Sequence, residues 1–378
     1  MKYIPYNDIP REDWDRLVET SPDGWLYQTS GYIDWAVREG NKSVSFGVLT
    51  DTGDLKAAVP LYLAHAAPFR AGKISRYFHK ASGRLTRAAG VASPLGLRKL
   101  ISGYSGPVLA ADLGGKGRRK MWREIMAGID LLAAKHRADT LELRLTDVAP
   151  GNLPPLRPEA NPLWSAGAYE HLSVPPRLFA AIDLTRSEEE LRAGLDGDCR
   201  NELVRAEKAG ILCRPGSCAE LGLYHSIHEA SWKRTGAAPH ALSHFSGMCR
   251  CLGGDARLKL FFAESGRAPV AAVLLHAFKE SVFYYGGCSL PDGMKLKANN
   301  LLLFSAVLWA RQAGYKWFGV GLFECSPGRD AKEYSVGKYK TQFTRTYFEA
   351  FEGAKYYTAA GLREGEERRR ALLAGHKR

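Results

Sequence analysis

The alternation of apolar and polar residues along the first half of the chain predicts two helices, a hairpin, and then a helix between two strands. Apolar residues recur every three or four positions in the helical segments and at every second position in the strands. The predicted elements are helices at 10–20 and 28–37, a hairpin at 44–49 and 56–63 around a turn at 51–54, a short strand after the Gly-Pro pair at 106–107, a helix at 120–136 and a strand at 140–145.

The second half repeats this order of elements. It begins with a capping box, because Ser187 and Glu190 can each satisfy a free backbone donor of the helix that follows. Its hairpin, KLFFAESGRAPVAAVLLHAF, has the same pattern as FGVLTDTGDLKAAVPLYLAH of the first half. The predicted elements are a strand end at 182–185, helices at 195–210 and 219–233, a hairpin at 258–264 and 269–278, a strand at 282–286, a helix at 299–313 and a strand at 317–320.

The repeated order predicts a mixed α+β fold with two similar α/β subdomains. A chain of 378 residues is also too long for one ordinary core. Many of the prolines fall between residues 147 and 177, which we interpret as the connection between the halves. We therefore predict one subdomain at 1–175, a second at 176–353 and a charged helical tail at 354–378. The halves share few identical residues, so a chance likeness is the alternative.

The charge is unevenly distributed. The formal net charge is +13 with a pI near 9.4, and no Asp or Glu occurs between Asp54 and Asp112. A basic segment of this kind attracts polyanions, and RNA phosphate is the first candidate. A generally basic solvated surface and an anionic membrane face are the alternatives. The candidate RNA-binding residues in this segment are Arg70, Lys73, Arg76, Lys80, Arg84 and Arg87.

The cysteines and the N-terminus predict a reduced, cytoplasmic protein. All seven cysteines lie in the second half, without a CxxC pair, so we expect neither a disulfide framework nor a zinc site. His240 and His244 are four residues apart but lack the Glu of a zinc protease, and no metal is expected. The first residues are polar where a signal peptide needs an apolar core. No apolar run approaches the length of a membrane span, so we expect no stable membrane insertion.

The candidate chemistry centres on Lys340. A short apolar strand opens into a polar loop that closes on residues 337–343, GKYKTQF. The motif places one ammonium among aromatic rings, where it can meet a developing negative charge. The alternative is a lysine whose stem covers apolar surface while its head stays in water.

Five segments of the second half form a series of motifs. The first comprises the capped segment beginning at Ile182 and the helix sequence CRNELVRAEKAGI at 199–211. The others are PVAA at 269–272, FYYGGCS at 283–289, NNLL at 299–302 and YKTQF at 339–343. In sequence and in order, these segments resemble the signature of the Fem family of aminoacyl-tRNA-dependent peptidyltransferases. Weaker signals of the first half are Tyr27-Gln28 to Trp35 and Gly106-Pro107, so the resemblance spans roughly residues 25–350.

This resemblance implies a pair of GNAT-like subdomains with a substrate groove between them. It also implies transfer of an amino acid from a charged tRNA to an amine, on a cell-wall precursor or in natural-product assembly. The catalytic lysine of the family falls on Lys340, with Tyr339 where Phe is usual. The sequence departs from the family at Gly319, where many relatives have an Asp, and it lacks the long coiled-coil arm of some members.

The chemistry assigns roles to the candidate site residues. Aminoacyl-tRNA is an activated ester, so attack by a neutral amine needs positioning and a cation for the oxyanion, without a metal or other cofactor. Lys340 is the expected catalytic cation. Arg200 could hold a phosphate, or it could pair with Glu202 or Glu190. The expected substrate-binding residues are Tyr339, Phe343, Arg200, Trp35 and whichever of Tyr284 and Tyr285 faces the groove.

The main alternative is an acyl-CoA-dependent N-acyltransferase on the same fold. Such enzymes cradle the CoA pyrophosphate with Arg/Gln-x-x-Gly-x-Gly/Ala between a strand and a helix. In the second half that junction, residues 289–299, lacks the motif, whereas residues 87–92, RAAGVA, fit it within the basic segment. A noncatalytic RNA-binding protein is a third possibility.

Overall fold

The computed structural model describes residues 1–66, 96–166, 177–324 and 332–375, and the chain divides into two compact units. Unit 1 consists of Met1–Leu178, Glu324–Ser335 and Glu349–Arg378; unit 2 consists of Phe179–Phe323 and Val336–Phe348. Unit 1 thus includes the C-terminal residues, which the sequence had suggested to be a separate tail.

The elements up to residue 166 all belong to unit 1. They are β1 (Lys2–Pro5), α1 (Arg11–Thr20), α2 (Ser30–Arg38), β2 (Lys42–Ser43), β3 (Phe46–Leu49), β4 (Leu55–Val59), β5 (Tyr62–Ala66), β6 (Leu97–Ile101), β7 (Val108–Leu109), α3 (Gly115–His136), β8 (Thr140–Arg144) and α4 (Pro162–Ser165).

The remaining elements begin with the first strand of unit 2. They are β9 (Leu178–Asp183), α5 (Glu188–Ala193), α6 (Gly197–Lys208), β10 (Ile211–Gly216), α7 (Leu221–Arg234), α8 (Leu242–Leu252), β11 (Leu258–Ser265), β12 (Ala268–Phe278), β13 (Ser281–Ser289), α9 (Pro291–Lys295), α10 (Ala298–Gln312), β14 (Trp317–Phe323), α11 (Lys332–Thr341), β15 (Tyr347–Glu349), β16 (Glu352–Tyr356) and α12 (Ala359–Gly375).

Unit 1 contains two sheets, because Pro60 interrupts the strand predicted at 56–63. Proline has no N–H to donate to a ladder, and the chain changes sheets there. Its first part, β4, lies in a sheet of order β1-β3-β4-β7, and its second part, β5, lies in a sheet of order β16-β8-β6-β5-β2. Within the second sheet β6 and β8 are parallel.

Helix α3 provides much of the apolar surface in the core of unit 1. Met121, Ile125 and Ile129 recur at intervals of four and are at most 1% exposed. They pack in a cluster that includes Phe46 of β3 and Leu141 of β8. This spacing is what predicted the helix, although α3 begins at Gly115, five residues earlier than predicted.

Unit 2 is organised on one sheet of seven strands in the order β10-β11-β12-β13-β14-β9-β15. The predicted hairpin is confirmed as the antiparallel pair β11 and β12. Strand β14 follows helix α10 and pairs with β13 in parallel, as in the strand–helix–strand order of the first half. Leu302 and Val307 of α10 pack with Leu203 of α6 and Val320 of β14 in a common core.

The segment after β14 differs from the prediction. Lys340 was expected on a loop, but it lies in the last turn of helix α11. The sequence did not predict this helix, because helix α11 is rich in polar residues and has no clear apolar stripe. Helix α8, which includes Phe245 and Met248 in its buried face, was also missed.

The C-terminal segment is a packed part of unit 1 and not an exposed tail. Strand β16 pairs with β8, and α12 contributes Glu364 to a buried ion-pair network. Lys99 Nζ lies 3.0 Å from both Glu142 Oε1 and Glu364 Oε1, and Arg368 also pairs with Glu142. Burial acts to raise the pKa of Glu142, but Lys99 and Arg368 lower it to about 2.

The expectation of no disulfide is wrong, because Cys218 and Cys249 form one. Their Cα atoms are 6.4 Å apart, and the bond joins the segment before α7 to helix α8. A separation of 31 residues carries no local signal, which is why cysteine spacing did not reveal the pair. Cys199, Cys213, Cys251 and Cys288 are free thiols. None of the helices described combines the length and apolar character needed to cross a membrane.

Candidate active site

The candidate site lies in unit 2, where the parallel strands β13 and β14 separate. Their pairing joins Ser281 to Trp317, Val282 to Phe318 and Phe283 to Gly319. Both strands continue beyond these pairs, to Ser289 and Phe323, and in this fully described stretch they pair no further. The strands therefore diverge at an opening that begins at Tyr284 and Val320, where backbone groups need partners other than the neighbouring strand.

Lys340 reaches this opening from α11. Its side chain is buried, and Nζ donates a 2.6 Å hydrogen bond to the carbonyl oxygen of Leu322. The neighbouring Gly321 has a φ of +113°, a conformation that favours glycine, and a Cβ there would lie 3.1 Å from Nζ. The same Cβ would lie 3.8 Å from the ring of Phe283. Gly321 thus leaves the space that the ammonium occupies.

Two phenols join α11 to strand β13. Tyr339 precedes it on α11, and its hydroxyl lies 3.4 Å from the carbonyl oxygen of Asn299 and hydrogen bonds to Tyr284. Burial raises the pKa of Tyr284, and burial together with Tyr284 raises that of Tyr339 well above its usual value. Both hydroxyls therefore stay protonated at neutral pH and can donate hydrogen bonds, but they cannot act as bases.

The nearby thiols are not nucleophiles. Burial, and then the charge of Glu202, raises the pKa of Cys199 to about 12. Burial likewise raises the pKa of Cys288 to about 12. The thiolate is the reactive form, so neither cysteine is activated at neutral pH.

A polar network holds α11 against the neighbouring helices. Asn300 Nδ2 lies 2.6 Å from Glu202 Oε2 and 3.4 Å from Gln342 Oε1. Lys297 Nζ lies 2.7 Å from the other oxygen of Glu202. The network links α6, the start of α10 and the end of α11, so it sets the position from which Lys340 approaches the strand. Asn300 was noted in the sequence only as part of the NNLL motif.

Arg200 has neither of the acidic partners considered for it. Its guanidinium donates to the carbonyl oxygens of Ala193 (2.9 Å) and Leu195, which close helix α5. Glu202 binds Lys297 and Asn300 instead, and Glu190 completes the capping box with Ser187. The side chain is exposed, and its role in binding phosphate stays a prediction.

The two adjacent tyrosines of β13 point to different surroundings. Tyr284 packs beside Tyr339 and the core of unit 2, whereas the Tyr285 hydroxyl lies 3.2 Å from His244 Nε2. Tyr285 is the extra residue of an irregularity in the pairing with β12, and its ring stacks on His276 at 4.5 Å. Of the pair, Tyr284 is therefore the residue that contacts α11, through Tyr339.

The histidines near Tyr285 form an aromatic cluster. The rings of His240 and His244 stack 4.2 Å apart, and those of His228 and His240 are 5.8 Å apart. His228 Nε2 accepts the backbone N–H of His240 at 3.2 Å, which requires a neutral imidazole. No group of three or more His, Cys, Asp or Glu side chains in the described ranges is arranged to hold a metal ion.

This cluster predicts loss of stability in acid. Burial, then His225 and His244, lowers the pKa of His228 to about 4, and burial with His244 lowers that of His276 to about 3. The unfolded chain binds these protons near pH 6.5, so stability falls between about pH 6.5 and 4, by about 2 kcal/mol per histidine at pH 5. We expect His228→Gln to remove about half of this loss, measured by urea unfolding at pH 7 and pH 5. An equal loss in the variant would contradict the assignment.

The other predicted substrate contacts are core residues. Phe343 is 3% exposed, and its ring centroid lies 5.3 Å from that of Tyr339, so it supports the tyrosine from within the core. Trp35 is 1% exposed in unit 1 and packs against Tyr32. Its part in substrate binding stays a prediction. The six basic residues proposed to bind RNA, from Arg70 to Arg87, lie outside the described residues.

Comparison with known proteins identifies the fold of this chain. Residues 196–334 match the sequence model of the acetyltransferase (GNAT) domain. The structure is similar to that of FemX, with 12% sequence identity and a TM-score of 0.67, over 94% of this chain and 98% of that one. The chain has a Fem-type GNAT fold. No curated protein sequence matches it.

Other structures share the Fem-type GNAT fold. A tandem GNAT protein from the clavulanic acid biosynthesis pathway is similar at 13% identity and a TM-score of 0.51, over 94% of this chain and 98% of that one. The C-terminal domain of a putative lysylphosphatidylglycerol synthetase from Agrobacterium fabrum is similar at 12% identity and a TM-score of 0.50, over 93% of each chain. The predicted pair of GNAT-like units is confirmed, and the GNAT match supports an acyltransferase.

Sequence reasoning missed the backbone part of this site. Gly321 was not among the predicted site residues, and the Leu322 carbonyl carries no side-chain signal. The glycine directly after the apolar residues 317–320 could have marked the place, because an isolated glycine in a strand often indicates close approach of another group.

Proposed function

We propose that this protein is an acyltransferase that moves an amino acid from an aminoacyl-tRNA ester to an amine, forming an amide. The observation that carries the proposal is the buried Lys340 ammonium beside Gly321, where β13 and β14 separate. The acceptor class is a peptide-like amine, such as a cell-wall precursor or a natural-product intermediate.

The chemistry requires one cation and no redox step. The amine nitrogen attacks the ester carbonyl carbon, a C–N bond forms, and the carbonyl oxygen becomes an oxyanion. Lys340 stabilises this charge, since a buried ammonium close to the developing oxyanion is a fixed positive charge in a water-poor site. Collapse of the intermediate breaks the C–O bond to the ribose, and the proton from the amine ends on the ribose hydroxyl. Tyr284 and Tyr339 hydrogen bond to each other, and Tyr339 also donates to the Asn299 carbonyl, so this pair helps to fix the position of α11 and with it Lys340.

The junction between β13 and α10 supports tRNA over CoA as the donor. A pyrophosphate cradle needs an open glycine-rich turn whose N–H groups face the ligand. Here helix α9 fills the junction, and Leu290 N donates to Val270 O at 2.8 Å. A Cβ on Gly293 would lie 2.4 Å from Val270 O, so this glycine serves close packing of α9 against β12.

An acyl-CoA-dependent N-acyltransferase is the second candidate. The similar tandem GNAT protein from the clavulanic acid pathway is described in a form without AcCoA, which associates this coenzyme with a related fold. The chain also has the RAAGVA sequence at 87–92. Both donors would use the same amide-forming step.

Two assays run in parallel distinguish aminoacyl-tRNA from acyl-CoA as the donor. We expect the protein, given pooled aminoacyl-tRNAs and a panel of candidate amines, to form an amide that mass spectrometry detects. Treatment of the charged tRNA with ribonuclease and mild base before the assay should abolish the product. In the second assay, acetyl-CoA replaces tRNA and thiol release is followed. Thiol release that depends on both the amine and the protein, with no product from aminoacyl-tRNA, would contradict the proposal and favour an acyl-CoA-dependent N-acyltransferase.

A further inference from the structure

The first two turns of α3 carry the densest positive charge in the described part of unit 1. Five of the eight residues from Lys116 to Arg123, KGRRKMWR, are Lys or Arg. Arg118 turns inward and binds both carboxylate oxygens of Asp23, at 2.9 and 2.8 Å. The other four cations are exposed: Lys116, Arg119, Lys120 and Arg123. We call these four the α3 strip.

The α3 strip occupies one face of the helix. Positions separated by three, four and seven residues lie on the same side, so the four charges follow a line of about 10 Å along the axis. None of the four has an acidic partner within ion-pair distance among the residues that the structure describes. Their charges are therefore available to a ligand.

The nearest acidic side chains are already engaged. Asp112 binds Lys56 at 2.6 Å, and Glu124 accepts the Tyr3 hydroxyl at 3.2 Å. Asp51 has a lowered pKa, chiefly because of the N-terminal amine at 2.9 Å and in small part because of Lys120. Asp112 and Asp51 are thus offset by cations, and Glu124 leaves one negative charge beside the four positive charges of the α3 strip, so the net local charge is positive and favours an anion.

The start of α3 adds to this field. Its N-cap is Gly114, with no side-chain cap and no acidic residue in the first turn. A Cβ on Gly114 would meet nothing within 4 Å, so there is open space beside the cap from which the first backbone N–H groups of the helix follow. Such N–H groups and the positive end of the helix dipole favour phosphate oxygens.

We infer that the α3 strip is a docking surface for the phosphate backbone of the tRNA donor. The inference rests on the proposed function and names a surface of unit 1 that binds the RNA backbone. Lys and Arg at successive helical turns contact successive phosphates without reading the bases, so the contact is independent of the tRNA sequence.

The composition of α3 favours RNA over an anionic membrane. A helix that lies on a bilayer presents several large apolar side chains beside its cations. The apolar residues of α3, such as Trp122 and Ile125, face the core of unit 1. Leu131 is the one large apolar side chain on the described helix that is exposed, eight residues beyond Arg123.

A charge-matched pair of variants tests the surface. The first replaces the α3 strip (Lys116→Gln, Arg119→Gln, Lys120→Gln and Arg123→Gln). The control replaces four exposed cations of unit 2 (Arg205→Gln, Lys208→Gln, Arg250→Gln and Arg267→Gln), so both variants lose four charges from the net +13. Binding of fluorescently labelled, uncharged tRNA to the full chain is measured by anisotropy over a range of KCl concentrations.

We expect the strip variant to bind tRNA at least about 10-fold more weakly than the control, with the slope of log Kd against log salt reduced by about 3. Equal affinity and equal slope in the two variants would overturn the docking surface while leaving the proposed function intact. If the wild-type protein binds no tRNA at low salt, the proposed function itself is contradicted. Binding to phosphatidylglycerol vesicles that the strip variant loses, without tRNA binding, would assign the α3 strip to a membrane instead.

Discussion

Replacement of Lys340 by methionine is expected to lower the rate of amide formation by about 100-fold or more. Loss of a single donor to a developing oxyanion has effects of this size, and methionine keeps the apolar stem without the charge. The rate is measured with saturating donor and amine, so that the change appears in kcat. Lys338→Met is the matched control, because Lys338 is exposed on the same helix, two residues away.

Lys340 also has a structural role in this fold. The same two variants distinguish that role from catalysis. Its bond to the Leu322 carbonyl also fastens α11 to β14, and loss of this bond leaves a carbonyl without that partner. Such a loss costs about 1–3 kcal/mol of stability. A variant that stays folded at the assay temperature, still binds tRNA and yet fails in transfer supports catalysis. A variant that retains more than about a tenth of the wild-type rate would remove Lys340 from the mechanism.

Replacement of Glu352 by alanine is expected to destabilise unit 1 by about 3–5 kcal/mol. Glu352 is 2% exposed; its carboxylate binds Arg177 and lies 3.6 Å from Arg144 Nε. Without Glu352, the guanidinium groups of Arg144 and Arg177 each lose a buried anionic partner. Removing one partner of a buried ion pair is costly, because the remaining charge is desolvated without full compensation. Urea unfolding followed by tryptophan fluorescence measures the effect.

The control for this prediction is an ion pair at the surface. Glu366 pairs with Arg370 at 3.4 Å on α12, and both side chains are exposed. Glu366→Ala should change stability by less than about 1 kcal/mol, since solvent screens such pairs. Similar small effects at both positions would show that Asp147, which binds Arg144 at 2.7 Å, suffices to compensate the buried arginine.

The order of elements was predictable because it depends on neighbours in the sequence. The stripe of Met121, Ile125 and Ile129 and the capping box of Ser187 act within a few residues, so pattern alone identified α3 and α5. Where the pattern weakens, as in α11, the same reasoning assigned a loop. Tertiary contacts hold that helix, through Lys340 to Leu322 and Gln342 to Asn300.

The sequence by itself determined the repeated order of elements that predicts two α/β halves, which its resemblance to the Fem family implies to be GNAT-like, and the position of the lysine motif after the last long strand. Only the tertiary structure decided what surrounds Lys340. The Leu322 carbonyl, the space beside Gly321 and the nearby Phe283 ring come from segments that lie 18 to 57 residues away. It also decided that residues after 349 complete unit 1 and that Cys218 binds Cys249. The physical reason is that helical and strand periodicity act locally, whereas a site is made by backbone groups that folding brings together from distant positions.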